Sequence, residues 1–164
     1  MSDITYIPTR QGWLYLAVII DLFSRAVIGW HISNSLHTEV VTAALQSAIR
    51  GGGVSAGSIF HSDRGWQYTA KSTRGLLARR GMVQSMSAAG YCYDNAFAES
   101  FFASLKAEIP GGDHPFETKE AARLAVFDYI ETFYNRRRRH SSLDYLSPSD
   151  FLKRHFQNRN HRLN

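Results

Sequence analysis

Cysteine and long apolar runs are scarce in this chain of 164 residues. Cys92 is the only cysteine, which excludes an intrachain disulfide framework and a zinc site built from cysteines. The longest apolar run, around Leu14–Ile20, stops at Asp21, far short of the roughly 20 residues that cross a bilayer. No signal-peptide pattern precedes the first strand-like segment. We therefore expect a cytoplasmic protein with no membrane partner.

Acidic residues are also scarce towards the carboxyl terminus. Residues 136–164 contain eight of the 19 Lys and Arg residues but only two of the 14 Asp and Glu residues. We expect two parts, a nearly neutral core over 1–135 and a basic extension over 136–164. This distribution favours a polyanionic partner such as nucleic acid, and the alternative is a charged end that only aids solubility.

Hydrophobic patterning predicts an α/β fold. Three β-branched and aromatic segments indicate an antiparallel meander, and helical periodicity then alternates with two short strands. This order predicts a mixed sheet flanked by helices. The predicted strands are 3–8, 13–21, 25–32, 57–61 and 82–86, and the predicted helices are 38–50, 70–80, 95–108 and 117–134.

Three carboxylates lie where sites tend to form in such a fold. Asp3 opens the first strand, Asp63 follows the fourth, and Glu99 lies in the first turns of the third helix. Converging carboxylates repel one another unless a cation is present, and Mg²⁺ prefers oxygen ligands. Spacing alone leaves this triple as one of many among 14 acidic residues.

The helix that carries Glu99 is predicted to be two-faced. At about 100° per residue, Ala103 and Lys106 lie on the side of Glu99. The opposite face is predicted to anchor the helix to the core through Phe97, Phe101 and Leu105. Asp94 and Asn95 are candidates for its amino-terminal cap.

Two further residues have open interpretations. Asp21 is a rival to Asp3 for the site, or a hairpin cap that bonds the backbone near Ser24. His61 shares a strand face with Asp63, so it either assists proton transfer or is a packed, hydrogen-bonded histidine.

Five motifs, in order along the chain, resemble the catalytic subunit of bacterial insertion-sequence transposases, which shares an integrase-like core. They are DITYI at 3–7, GWLYLAVIIDLFSR at 12–25, HSDRGWQY at 61–68, DNAFAESFFASLK at 94–106 and YNRRRRHSSLDYLSPSDF at 134–151.

The resemblance implies a ribonuclease-H-like fold and a catalytic Asp-Asp-Glu triad. That family has 35 residues between the second and third members, and 35 residues separate Asp63 from Glu99 here. The match assigns Asp3, Asp63 and Glu99 as catalytic and metal-binding residues for two Mg²⁺ ions, with Mn²⁺ as a substitute. A basic residue seven positions after the glutamate is a family feature, and Lys106 fits it.

The resemblance also implies DNA as the partner, both transposon ends and target, bound by a homo-oligomer. Full-length members carry an upstream DNA-binding region, which we expect to be missing from this chain. The residues predicted to contact DNA are Lys106, Arg64, Gln67, Arg136, Arg137, Arg138 and Arg139. Trp66, Tyr68, Tyr91 and Tyr93 either stack on splayed bases or pack in the protein.

Strand cleavage followed by strand transfer is the activity that the resemblance implies. Two alternatives remain at this point. One is a structure-selective nuclease with the same fold, and the other is an inactive, truncated remnant that only binds DNA.

Overall fold

The computed structural model describes residues 1–88, 95–111 and 114–161. Strands β1 (Ser2–Ile7), β2 (Leu14–Ile20) and β3 (Val27–Ser33) form the predicted antiparallel meander in the order β1-β2-β3. The turn between β2 and β3 is fixed by Asp21, whose Oδ2 accepts hydrogen bonds from the Ser24 backbone at 3.1 Å and the Ser24 hydroxyl at 2.6 Å. Asp21 is therefore the hairpin cap.

Strands β4 (Ile59–Ser62) and β5 (Val83–Met86) form a parallel pair. Strand β1 lies beside β4. The antiparallel meander and the parallel strands of the predicted mixed sheet are both present, and hydrogen bonding among the described residues divides them into a three-stranded and a two-stranded part.

The next three helices are α1 (Thr38–Arg50), α2 (Trp66–Thr69) and α3 (Lys71–Arg79); α1 packs on β2 and β3, and α3 contacts β5. The bounds of α1 are those predicted. The predicted helix over 70–80 is preceded by the unpredicted turn α2, because the backbone of Ala70 is extended and interrupts the helical path. The Thr73 hydroxyl donates to the Gln67 carbonyl at 2.6 Å and satisfies a group that this break leaves open.

The core lies on both faces of β2. Leu14, Leu16, Val18 and Ile20 pack on one side with α4 (Ala96–Glu108) and α5 (Lys119–Asp128). Ala17 and Ile19 pack on the other side with α1 and α3. Successive side chains of a strand point to opposite faces of the sheet, so the almost continuous apolar sequence of β2 is explained by burial of both its faces.

Two helical predictions differ in detail. The helix predicted over 117–134 begins at Lys119 and changes to a π-helix over Tyr129–Tyr134. On α4 the buried residues are Ala98, Phe101, Phe102 and Leu105. The prediction that Phe97 anchors this helix to the core is wrong, because Phe97 lies at the edge of the buried stripe and is 46% exposed.

The basic extension is folded against the core. It contains a 3₁₀ helix (Ser141–Leu143) and α6 (Pro148–His161). Phe151 and His155 of α6 pack edge-on against Phe23 in the turn after β2. Within the described ranges, none of the helices combines the length and apolarity needed to cross a membrane.

Candidate active site

Asp3 is a partly buried carboxyl group on β1. Its Oδ1 accepts a hydrogen bond from the Ile4 backbone at 2.8 Å. Burial is the main reason that the pKa of Asp3 rises to about 6, and the negative charges of Asp63 and Glu99 raise it further. The three predicted carboxylates are thus near enough for charge interaction, although they come from three separate elements.

Asp63 follows β4 and is exposed. Its Oδ1 accepts a hydrogen bond from the Gly65 backbone at 2.9 Å, which orients the carboxylate. A Cβ on Gly65 would lie 3.0 Å from that same oxygen and 3.1 Å from Oε1 of Gln67. Glycine here allows the backbone to approach the carboxylate closely, a reason for the Asp-Arg-Gly sequence that does not involve a positive φ angle.

Glu99 projects from the first turn of α4 and is exposed. Asn95 precedes this helix but makes no side-chain capping bond. Instead, the Asn95 side chain lies close enough to Asp3 to lower the pKa of that carboxyl group, in opposition to burial. The expectation of a side-chain cap at Asn95 is therefore wrong, and the other candidate cap, Asp94, lies outside the described residues.

Asn95 is a site residue that the sequence reasoning missed. Its Oδ1 is buried without a hydrogen-bond partner among the described residues. Helix-cap preference suggested a local role, but the contact of Asn95 is with β1, remote in sequence. Its place in the DNAFAES motif, four residues before Glu99, was the available signal.

The donor set suits a hard divalent cation. The three groups offer carboxylate oxygens, and a cation between them would relieve the repulsion that raises the Asp3 pKa. Within the described part of the chain, no three His, Cys, Asp or Glu side chains form a group that is arranged to hold a metal ion. The chemistry fits, and closer approach of the carboxylates would be needed on binding.

His61 is held by two serines. Its Nδ1 lies 2.9 Å from the Ser85 hydroxyl and its Nε2 lies 3.2 Å from the Ser87 hydroxyl. Both ring nitrogens are thus occupied, which favours the packed, hydrogen-bonded interpretation over proton transfer.

The residues predicted to contact DNA divide by exposure. Gln67 is only 5% exposed, so little of it is accessible to DNA, and this assignment needs correction. Arg64 donates from Nε to the Ser87 carbonyl at 2.9 Å, and Lys106 is exposed on α4. Trp66 is 54% exposed, whereas Tyr68 is in the core; Tyr91 and Tyr93 lie outside the described residues.

The four consecutive arginines are not equivalent. Arg136, Arg137 and Arg139 are exposed. Arg138 instead forms an ion pair with Glu108 at 2.8 Å and a hydrogen bond to the Ser104 hydroxyl at 3.0 Å. These contacts attach the basic extension to the end of α4.

Comparison with known families shows to which family this chain belongs. Two family models, each described as an integrase core domain, match residues 1–92 and 80–148. The chain belongs to the integrase core domain family. Transposase InsF for insertion sequence IS3A of Escherichia coli strain K12 is 50% identical over 150 residues, which cover 92% of this chain and 52% of that protein.

A second curated relative of this integrase core is the transposase for insertion sequence element IS904 of Lactococcus lactis. It is 45% identical over 153 residues, which cover 93% of this chain and 60% of the relative. The chain thus spans little more than half the length of these relatives.

Solved structures confirm the predicted fold class. The HTLV-2 integrase catalytic core domain in complex with magnesium matches with a TM-score of 0.64 at 16% identity, over 92% of both chains. The catalytic core domain of BIV integrase matches with a TM-score of 0.63 at 18% identity, over 96% of both. At these identities the similarity shows the ribonuclease-H-like fold alone.

Proposed function

We propose that this chain is the catalytic core of a DNA transposase that performs strand cleavage and strand transfer at insertion-sequence ends. One observation carries the proposal. Asp3, Asp63 and Glu99 come from three separate elements, yet both other carboxylates lie near enough to Asp3 for their charges to raise its pKa, as expected of a site built from all three. The identity to transposases of two bacteria supports it.

Asp3, Asp63 and Glu99 would hold two Mg²⁺ ions, with Mn²⁺ as a substitute. Ions held there would supply Lewis-acid chemistry for the attacking and the leaving oxygen of an in-line phosphoryl displacement. The chain's own residues set the donors: the Gly65 amide orients Asp63, helix α4 presents Glu99, and Asn95 favours the ionised form of Asp3. Because a carboxylate must be ionised to bind a cation, binding at neutral pH favours proton release from Asp3.

DNA is the proposed partner, with its phosphates contacted by exposed cations. Lys106 lies seven residues after Glu99 and therefore on the same side of α4. Arg64 follows Asp63 directly, and the remaining proposed contacts are Arg136, Arg137 and Arg139. We also propose that two or more copies act together on the element ends, with further DNA contacts from sequence outside this chain.

Joining of a pre-cut 3′ end to target DNA is the experiment that tests the function. The full-length protein should join the ends in Mg²⁺, and Asp63→Asn should reduce joining to background while it still binds DNA. Asp144→Asn is the matched control, because Asp144 is an exposed aspartate outside the triad whose left-handed φ of 55° also suits asparagine.

Two results would contradict the proposal. Cleavage without joining would indicate a nuclease. Equal activity of Asp63→Asn and the unaltered protein would remove these carboxylates from the chemistry.

A further inference from the structure

A basic cavity of about 450 Å³ lies between α4 and the segment that follows the π-helix. We call it the arginine pocket and define it by Arg25, Arg139, His140, Ser100 and Ser142. Arg138 also lines it. Its described lining contains no acidic residue, so an anion would meet cations and hydroxyls without a carboxylate to repel it.

We propose that the arginine pocket binds one phosphate of the DNA backbone. The proposal deepens the function above and rests on it for the choice of DNA as the source of the phosphate.

Two buried nitrogens in the pocket residues have no hydrogen-bond partner among the described residues. They are Nη1 of Arg25 and Nε2 of His140. A buried polar group without a partner is costly, by about 1–3 kcal/mol and more for a charged group. A phosphate oxygen would supply the acceptor that the Arg25 guanidinium lacks, and that His140 lacks in the tautomer with its proton on Nε2.

Arg25 is held at the pocket by its surroundings. Its backbone has a positive φ of 63°, uncommon for a residue with a side chain. Its guanidinium lies 3.9 Å from the centroid of the Phe97 ring. This cation–π contact fixes the charge against α4 without neutralising it. The exposure of Phe97, unexplained by core packing, thus has a role at this pocket.

The neighbouring ion pair leaves the pocket positively charged. Glu108 neutralises the charge of Arg138, with its Oε1 2.8 Å from Nη2 of the arginine, but Glu108 does not itself line the cavity. Arg25 and Arg139 have no such carboxylate partner among the ion pairs of the described residues. Burial, together with Arg138 and Arg25, lowers the pKa of His140, which agrees with a positive local potential.

Serine hydroxyls complete the set of donors. Ser100 and Ser104 come from α4, and Ser141 and Ser142 from the 3₁₀ helix. The Ser104 oxygen accepts a hydrogen bond from Arg138 at 3.0 Å, so its own hydrogen remains available to donate.

The position of the pocket favours DNA over a free anion. Both sites border the amino-terminal part of α4, because Ser100 follows Glu99 directly, but Ser100 lies about 100° round the helix from Glu99 and Phe97 and Ser104 lie further round. A DNA strand whose reacting phosphodiester lies at Glu99 would follow the helix surface round to place a neighbouring phosphate in the pocket.

Binding of a short fluorescent duplex, measured by anisotropy in EDTA over a range of salt, tests the proposal without catalysis. Arg139→Gln and Arg25→Gln should each weaken binding and reduce the slope of log K against log salt, neither by more than about 0.9, the value of the one phosphate contact that the two arginines share. Arg50 is an exposed arginine at the end of α1. Arg50→Gln removes the same charge and should change neither the affinity for the duplex nor the salt slope. Thermal unfolding of each variant checks the fold.

The source of the phosphate is tested by NMR of the His140 side chain. Both DNA and inorganic phosphate should shift its resonances, relative to chloride at equal ionic strength. A shift with inorganic phosphate alone would overturn the assignment to DNA. Salt slopes in both pocket variants equal to that of Arg50→Gln would overturn the pocket itself.

This outcome is separable from that of the proposed function. Asp63→Asn should keep the full salt slope, because the pocket does not include the triad. If the unaltered protein fails to join DNA ends but the pocket variants still reduce the salt slope, the proposed function has failed and the pocket stands. If joining occurs but the pocket variants leave the salt slope unchanged, the pocket proposal has failed.

Discussion

Asp3 is a partly buried carboxyl group whose neighbours include two further acids. Burial first, and then the charges of Asp63 and Glu99, hold its pKa at about 6 against an ordinary value of 3.8. The folded state therefore binds this proton more tightly than the unfolded state does. As pH rises from about 4 to about 6, the free energy of unfolding falls, by at most about 3 kcal/mol, and the loss is complete above the folded pKa.

Asp3→Asn should therefore stabilise the metal-free protein at neutral pH. We expect the free energy of unfolding in EDTA near pH 7.5 to rise by about 1–3 kcal/mol, and the gain to vanish at about pH 3, where Asp3 is protonated in both states. Urea unfolding at the two pH values measures it, with Asp144→Asn as the control. A variant no more stable than the unaltered protein at neutral pH would contradict the burial and charge coupling of Asp3.

Residue identities in the site were predictable to different degrees. Asp63 and Glu99 followed from a fixed spacing within recognisable motifs, and Asp21 from local turn chemistry. The burial of Gln67 could not be predicted, because the sequence of a polar residue between two aromatic residues does not indicate which of the three side chains points inward. The contact between Asn95 and Asp3 depends on bringing α4 to β1, which no local pattern encodes.

At the scale of elements, Asn135 connects the end of the π-helix to the start of β3. Its Oδ1 accepts a hydrogen bond from the Val27 backbone at 2.9 Å, and its Nδ2 donates to the Val27 carbonyl at 3.0 Å. One side chain thus satisfies both backbone groups of a residue 108 positions away.

Asn135→Ala should leave both Val27 groups unpaired and cost about 2–4 kcal/mol of unfolding free energy. Asn158→Ala, on the exposed part of α6, should change stability by less than about 0.5 kcal/mol. Chemical denaturation of the two variants checks this. Equal stabilities would show that the Asn135 bonds are replaced by water.

The packing of α1 on β3 depends on the absence of a side chain at Gly29. A Cβ there would lie 2.5 Å from the Ala44 carbonyl oxygen and 2.6 Å from the Ala48 backbone nitrogen. Backbone atoms of a helix cannot yield as a flexible side chain can, so the whole helix would have to shift.

Gly29→Ala should therefore destabilise the protein by about 2–4 kcal/mol. Gly75→Ala is the matched control within α3, where the new Cβ would meet only the flexible end of Arg79 at 3.3 Å. That change should be neutral or stabilising by up to about 1 kcal/mol, because alanine is the better helix former. Similar melting temperatures for both variants would contradict the close packing at Gly29.

Element types were predictable where one period dominated. The meander and α1 follow directly from β-branched runs and a helical apolar stripe. The break at Ala70 and the change to a π-helix at Tyr129 could not be predicted, because the sequence continues a helical pattern through both positions. Tertiary bonds, such as that from Thr73 to Gln67, decide those local geometries.

On the scale of the whole molecule, the basic extension belongs to the folded body. Arg138 attaches it to α4 through Glu108, and Phe151 attaches it to the turn after β2. Charge composition predicted only a basic end with a polyanionic partner. Its contacts place Arg139 and His140 beside the helix that carries Glu99, which links the extension to the candidate site.

The central claim is that three acids, distant in sequence, bind divalent metal together. Anomalous diffraction from crystals soaked in Mn²⁺ tests it most directly, since it requires no turnover. We predict anomalous peaks bounded by Asp3, Asp63 and Glu99, lost in Asp63→Asn and kept in Asp144→Asn. Manganese bound only elsewhere at saturation, with these carboxylates still apart, would contradict the account.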